Sequence, residues 1–198
     1  MTRPGTDAVA VDRHRLFFAV WPDPVTAATL ADEAQRLAPR LEGRAMRAET
    51  LHLTLAFLGN RSGAQRDRLC EGLDQANRSG WPGGFALRLD RLQQWRHNGI
   101  VLAASSERCE PLHRLAGLVS ELSRTCGIHV PERPFVPHLT LLRSCRGELP
   151  ARTGGDGPWH WAVRAFRLVE SFLGPAGASY RVIGEWALPS APRADGGG

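Results

Sequence analysis

Residues 51–59 read LHLTLAFLG and residues 137–143 read PHLTLLR, so the tetrapeptide His-Leu-Thr-Leu occurs twice. On a β-strand, alternate side chains share a face. His52 and Thr54 then point one way while Leu51, Leu53, Leu55 and Phe57 point the other, and His138 and Thr140 separate in the same manner from Leu139 and Leu141. Each copy offers an imidazole and a hydroxyl about 7 Å apart along one strand face, backed by an apolar face that can anchor it. Two such faces brought together would enclose a small anion.

Outward from these strands the chain alternates strand and helix signals. RLFFAV at 15–20 predicts a strand, and Asp23-Pro24 predicts a helix start, with Asp as N-cap and Pro at the first helical position. Ala27, Leu30, Ala34 and Leu37 recur at helical spacing up to Pro39, where the run is expected to stop. A loop over 41–49 leads into the first His-Leu-Thr-Leu strand, closed by Gly59-Asn60. Residues 64–77 predict an amphipathic helix with Leu69, Leu73 and Ala76 inward. Strands over 85–92 and 100–104 follow, joined by a loop with Trp95, Arg96, His97, Asn98 and Gly99 that is a candidate substrate rim.

A third helix begins near Pro111, buries Leu112, Leu115, Leu118, Val119 and Leu122, and ends at Gly127. The Pro-rich stretch 129–137 is extended and delivers the second motif. A Gly-rich loop at 154–157 precedes strands over about 159–173 and 179–188, separated by 174–177. Residues 1–12 read as a loose leader and 190–198 as a disordered tail. The order predicts an α+β fold with mostly antiparallel sheets. Two His-bearing strands 86 residues apart further predict a bilobal unit over 13–189, its related lobes facing one cleft.

Composition narrows the chemistry. A chain of 198 residues with 42% hydrophobic content suits one domain with a real core. No stretch approaches the roughly 20 apolar residues of a membrane span and the first residues lack a signal-peptide core, so a cytoplasmic location is expected. Cys70, Cys109, Cys126 and Cys145 are widely spaced, which argues against a zinc site or a disulfide framework and predicts buried thiols. All 25 cationic residues are arginine, in keeping with a chain rich in Gly, Ala and Pro. Without lysine there is no P-loop lysine, no lysyl-nucleotide intermediate and no Schiff base. A net charge of +5 favours an anionic partner such as RNA. No H-E-x-x-H, carboxylate cluster or Cys/His ligand spacing occurs, so neither a metal nor another cofactor is expected.

The two His-x-Thr motifs in hydrophobic strands resemble the two-histidine phosphoesterase superfamily. RLFFAV, LHLTLAFLG, PHLTLLR and the tail VESFLGPAGASYRVIGEWAL are similar, over about residues 13–189, to the bacterial and archaeal RNA 2',3'-cyclic phosphodiesterases, historically called 2'-5' RNA ligases. The resemblance implies two mostly antiparallel β-sheets with flanking helices, a metal-free site in a central groove, and a monomer.

Chemistry makes separate sense of the residue types. Opening a 2',3'-cyclic phosphate requires one group to take a proton from water and another to give one to the departing ribose oxygen, and histidine does either near neutrality. His52 and His138 are therefore the candidate acid and base. Similarity to the family assigns the acid to His52 and water activation to His138, with a 2'-phosphomonoester as product. Thr54 and Thr140 can hydrogen-bond the non-bridging oxygens. Arg143 stands where the family has a phosphate-contacting arginine. Strict alternation, however, puts it on the Leu139 face, so it reaches phosphate only where the strand ends or bulges near Leu142.

Phe17 and Trp95 are candidates for stacking a base, Phe17 with core packing as its other reading. His14, His97, His113, His129 and His160 read as surface or packing residues. The expected substrate is an RNA with a 2',3'-cyclic phosphate end or a small cyclic nucleotide. Two other readings use the same residues: ATP-independent 2'-5' ligation, the same chemistry reversed, and an RNA-binding module without turnover.

Overall fold

The fold follows from two long apolar strands that must bury one face each. In the computed structural model, residues 13–76, 80–150, 157–175 and 177–190 are described. The expected leader 1–12, most of the Gly-rich loop at 154–157 and most of the tail 190–198 lie outside them. The described elements are strand β1 (Arg13–Val20), helix α1 (Pro24–Leu41), β2 (Arg44–Ala45), a 3-10 turn (Ala48–Thr50), β3 (Leu53–Ser62), α2 (Gly63–Ala76), β4 (Phe85–Leu89) and β5 (Arg91–Trp95). A second 3-10 turn (Arg96–Asn98) leads to β6 (Ile100–Ala104), α3 (Glu110–Thr125), β7 (Leu139–Arg143), β8 (Trp159–Val163), β9 (Ala165–Gly174) and β10 (Gly177–Ala187).

The α+β expectation is met with two antiparallel sheets of unequal size. The large sheet has eight strands in the order β10-β9-β1-β3-β7-β6-β5, with β2 added beside β7, and β4 pairs β8 in the small one. The two His-x-Thr strands are neighbours, so the two halves of the large sheet, β10-β9-β1-β3 and β7-β6-β5, meet at a seam where Leu53 faces Leu139. Helices α2 and α3 pack on β3 and α1 packs on β7, covering one sheet face. The core lies there, with Leu16, Phe18, Leu53, Leu139, Leu141 and Leu142 fully buried. The opposite face holds a smaller apolar cluster of Phe17, Ala19 and Val169, with Trp21 and Tyr180 against it.

Local chemistry accounts for the helix boundaries. Asp23 caps α1 as expected, its carboxylate accepting from the Val25 and Thr26 amides at 3.0 Å each. Pro39 does not stop α1: the helix runs two residues further, to Leu41, which is fully buried. A proline this near the C-terminus forfeits one hydrogen bond, and burial of Leu41, worth about 1.5–3 kcal/mol, offsets it. Glu42 then takes a left-handed conformation and the Gly43 amide closes on the Ala38 carbonyl at 3.0 Å.

Other expectations are corrected in detail. The strand predicted over 85–92 is two: Asp90 divides it, β4 joining the small sheet and β5 the large one. The Asp90 carboxylate accepts from the Ser106 amide at 2.8 Å, a bond that holds the chain where it changes sheets. The strand closed at Gly59-Asn60 continues to Ser62. The strand over 159–173 is likewise divided into β8 and β9. All four cysteines are free thiols, half-buried rather than fully buried. No helix among the described residues is long and apolar enough to cross a membrane.

The seam carries the account of stability. Truncating fully buried Leu53 or Leu139 to alanine should lower unfolding free energy by about 2–5 kcal/mol, whereas Val182→Ala, on an exposed side chain, should stay within about 0.5 kcal/mol. Urea unfolding midpoints check this, and a seam substitution costing under about 1 kcal/mol would show that the two halves are not packed through these leucines.

Candidate active site

The site forms where the two motifs cross the seam. With Leu53 opposite Leu139 in an antiparallel pair, counting one residue to each side sets His52 level with Thr140 and Thr54 level with His138. The two imidazoles thus occupy a diagonal of about 7–8 Å across the strands, with a hydroxyl at each remaining corner.

Both histidines are oriented in the same way. The His52 Nδ1 lies 2.8 Å from the Thr50 carbonyl and the His138 Nδ1 lies 2.8 Å from the Val136 carbonyl, each two residues upstream of its histidine. A carbonyl only accepts, so each Nδ1 must carry the proton and donate it. The Nε2 of each neutral ring is therefore left with its lone pair free for chemistry. The Thr50 carbonyl is itself held in a 3-10 turn, where the Thr50 hydroxyl donates to the Arg47 carbonyl at 2.8 Å.

Their surroundings differ. The His52 ring stacks on Trp21 at 5.1 Å between centroids, lies 5.0 Å from Phe17, and meets Tyr180 edge-on at 5.1 Å. Arg167 covers Trp21, with its guanidinium 5.3 Å from the indole centroid. Among the described residues the His138 ring has one aromatic neighbour, Trp95, at 4.6 Å. Desolvation by this aromatic box pushes the His52 pKa down to about 4; the Thr50 hydrogen bond opposes the shift, and the charge of Arg143 and the proximity of His138 add to it. The His138 pKa is also lowered, first by desolvation and further by Arg143, against the Val136 hydrogen bond.

Arg143 reaches the histidine face because β7 bulges. Val101 and Leu102 of β6 pair with Leu142 and Thr140, leaving Leu141 as an extra residue. Leu141 and Leu142 both turn inward and are fully buried, so Arg143 emerges on the His138 and Thr140 side. The same device recurs in β3. Phe18 and Ala19 pair with Ala56 and Thr54, Leu55 is extra, and Leu55 and Ala56 are both buried. Phe57, expected on the anchoring face, is instead 48% exposed. Phe57 and Arg143 thus hold equivalent places, each five residues after its motif histidine.

A cleft of about 590 Å³ opens on the His52 side of the seam. Its wall includes Phe17, His52, Thr54, Arg143 and Tyr180, together with Arg15, Arg44, Arg47 and Phe57. His138, Thr140 and Trp95 lie outside that wall. Phe17 is only 4% exposed and backs His52 from below, so its core-packing reading describes its place. Among the described residues no three of His, Cys, Asp or Glu gather as a metal site.

Sequence reading missed Trp21, Tyr180 and Phe57. Tyr180 is the chain's one tyrosine, but it comes from β10, far from either motif in sequence. Burial pushes its hydroxyl pKa up. Of the remaining histidines, His14 is buried, with its Nδ1 2.6 Å from Glu170, and His113 packs edge-on against Phe135.

Comparison with known proteins adds to this geometry. The profile of the LigT like Phosphoesterase family matches residues 20–101. An Escherichia coli protein named RNA 2',3'-cyclic phosphodiesterase is 33% identical over 176 residues, covering 88% of this chain and 97% of its own length. A Thermus thermophilus protein of the same name is 31% identical over 183 residues, covering 88% of this chain and 90% of its own. The crystal structure of E. coli LigT complexed with 3'-AMP superposes with a TM-score of 0.78 at 31% identity, covering 89% of this chain and 98% of that one.

Depression of the His52 pKa has a signed consequence. Its unfolded value, near 6.5, lies above the folded value of about 4, so the unfolded chain binds more protons between those limits and the contribution of His52 to stability falls as pH drops through that window. NMR titration should find the His52 midpoint near 4, and His52→Gln should flatten the acid limb of the stability profile. An ordinary midpoint near 6.5 would show that the aromatic box does not desolvate the ring.

Proposed function

The chain belongs to the LigT-like phosphoesterase family of RNA 2',3'-cyclic phosphodiesterases, and from that premise we propose that His52 and His138 open the 2',3'-cyclic phosphate of an RNA end as a general acid–base pair without a metal. The enzyme is a hydrolase of 2',3'-cyclic phosphodiesters. One observation carries the mechanistic reading: two imidazoles with Nδ1 tied to backbone carbonyls, diagonal to each other across the seam, with Arg143 bulged onto their face.

In the proposed reaction His138 Nε2 takes a proton from water as the water oxygen bonds to phosphorus. The P–O3' bond breaks, and His52 Nε2 gives its proton to the departing O3'. The product is a 2'-phosphomonoester. Thr54 and Thr140 hydroxyls donate to the non-bridging oxygens, and the Arg143 guanidinium neutralises the charge that builds there. Both rings are neutral at rest by the direction of their pKa shifts. The bound phosphate anion opposes that depression and raises proton affinity beside it, so the acid is loaded as substrate arrives. Run backwards, with the two roles exchanged, the same groups join RNA ends through a 2'-5' bond.

The proposal treats residues 13–189 as one catalytic unit, with 1–12 and 190–198 outside it, acting as a monomer. It assigns a cytoplasmic setting, which the four free thiols support. Trp95, 4.6 Å from His138, is the proposed stacking surface on that side. Phe17 keeps a role in holding His52.

The test is conversion of a short RNA ending in a 2',3'-cyclic phosphate in the presence of EDTA. His52→Ala and His138→Ala should each lose roughly 10²–10⁴ in turnover while retaining RNA affinity. Loss of activity in EDTA, restored by a divalent ion, would overturn the metal-free reading. Activity that survives both substitutions would overturn the histidine pair.

A further inference from the structure

The cleft holds more positive charge than one cyclic phosphate requires. Its wall carries Arg15, Arg44, Arg47 and Arg143 and no carboxylate. Arg47 has Glu49 at 3.3 Å, but among the described residues the other three pair with no acid. A terminal cyclic phosphate brings a single negative charge, and the proposed reaction assigns Arg143 to it.

Arg44 is placed as though for a second anion. It is the direct cross-strand partner of Arg143 between β2 and β7, and like charges so placed cost stability when nothing lies between them. Its side chain is exposed and so open to a ligand. Its Nη1 stretches across to the hairpin of β9 and β10, 3.1 Å from where a Cβ on Gly177 would stand.

Farther along, Phe57 lies three residues, about 10 Å, beyond Thr54 on the same strand. Its ring is 48% exposed, and the Arg15 guanidinium lies over it at 5.1 Å from the centroid. An exposed ring beside a guanidinium plane is a surface on which any base can stack.

We propose that Arg44, Arg15 and Phe57 form a subsite for the phosphodiester and base of the nucleotide 5' to the cyclic phosphate. The preferred substrate is then a single-stranded RNA end of two or more nucleotides rather than a cyclic mononucleotide. This inference rests on the phosphodiesterase reading above. Phosphate in the subsite relieves the Arg44–Arg143 repulsion, and stacking on Phe57 tolerates any sequence.

The test compares three substrates with the same cyclic end: a mononucleoside 2',3'-cyclic phosphate, its 5'-phosphorylated form, and a dinucleotide. Wild type should favour the dinucleotide over the mononucleoside by roughly tenfold or more in kcat/KM, the lower range for one stacked base. Arg44→Ala and Phe57→Ala should each remove most of that preference through KM with kcat unchanged, leaving mononucleoside turnover within about twofold of wild type. Arg44→Ala alone should also abolish any advantage of the 5'-phosphate. Equal kinetics of wild type on all three substrates, or an equal loss on all three in the variants, would overturn the subsite. Failure of wild type to turn over any of them is a different result and would overturn the phosphodiesterase reading itself.

Discussion

An extra residue placed directly after each His-Leu-Thr triplet decides what the cleft contains. Leu55 in β3 and Leu141 in β7 each follow directly after a His-Leu-Thr triplet, and each breaks the alternation that the triplet sets up. Without the bulge at Leu141, Arg143 would point into the leucine core, where an unpaired guanidinium is not tolerated. With it, two consecutive leucines are buried and the arginine emerges beside the histidines. Burial of Leu141 and Leu142, about 1.5–3 kcal/mol each, opposes the loss of regular pairing at the bulge. The same leucines that anchor the seam thereby aim the Arg143 side chain into the cleft.

Electrostatics then follow from what surrounds each imidazole. The backbone carbonyls of Thr50 and Val136 fix the tautomers, so both Nε2 atoms are available. Desolvation among the aromatic rings around His52, and after it the charge of Arg143, disfavour the protonated state. An anion in the groove opposes both effects by supplying counter-charge. The two histidines differ in their environment: His52 lies within Phe17, Trp21 and Tyr180, whereas His138 packs against Trp95. A division of labour between two chemically identical side chains can arise from that difference.

Much of this was legible in the sequence because period-2 patterning is a local signal. His52, Thr54, His138 and Thr140 could be assigned to one face, Asp23 to a helix cap and Leu69 and Leu73 to a core from neighbouring residues alone. The bulges were not legible in the same way. Leu-Leu at 141–142 and Leu-Ala at 55–56 are equally compatible with a regular strand, and only the pairing partners on β1 and β6 show which residue is extra. The aromatic box around His52 was hidden for a related reason: Trp21 and Tyr180 reach it from β1's end and from β10, through long-range pairing. Asp90 carried a signal that could have been read, a poor strand former between Leu89 and Arg91, and it marks the point where the chain changes sheets.

The central claim is that both imidazoles and Arg143 converge on one phosphorus atom. A crystal structure with a nucleoside–vanadate complex, which mimics the five-coordinate transition state, tests it most directly. The account predicts one apical oxygen within hydrogen-bonding distance of His52 Nε2, the other within reach of His138 Nε2, and an equatorial oxygen on Arg143. Vanadate bound with either histidine out of reach, or with Arg143 turned away from it, would contradict the account.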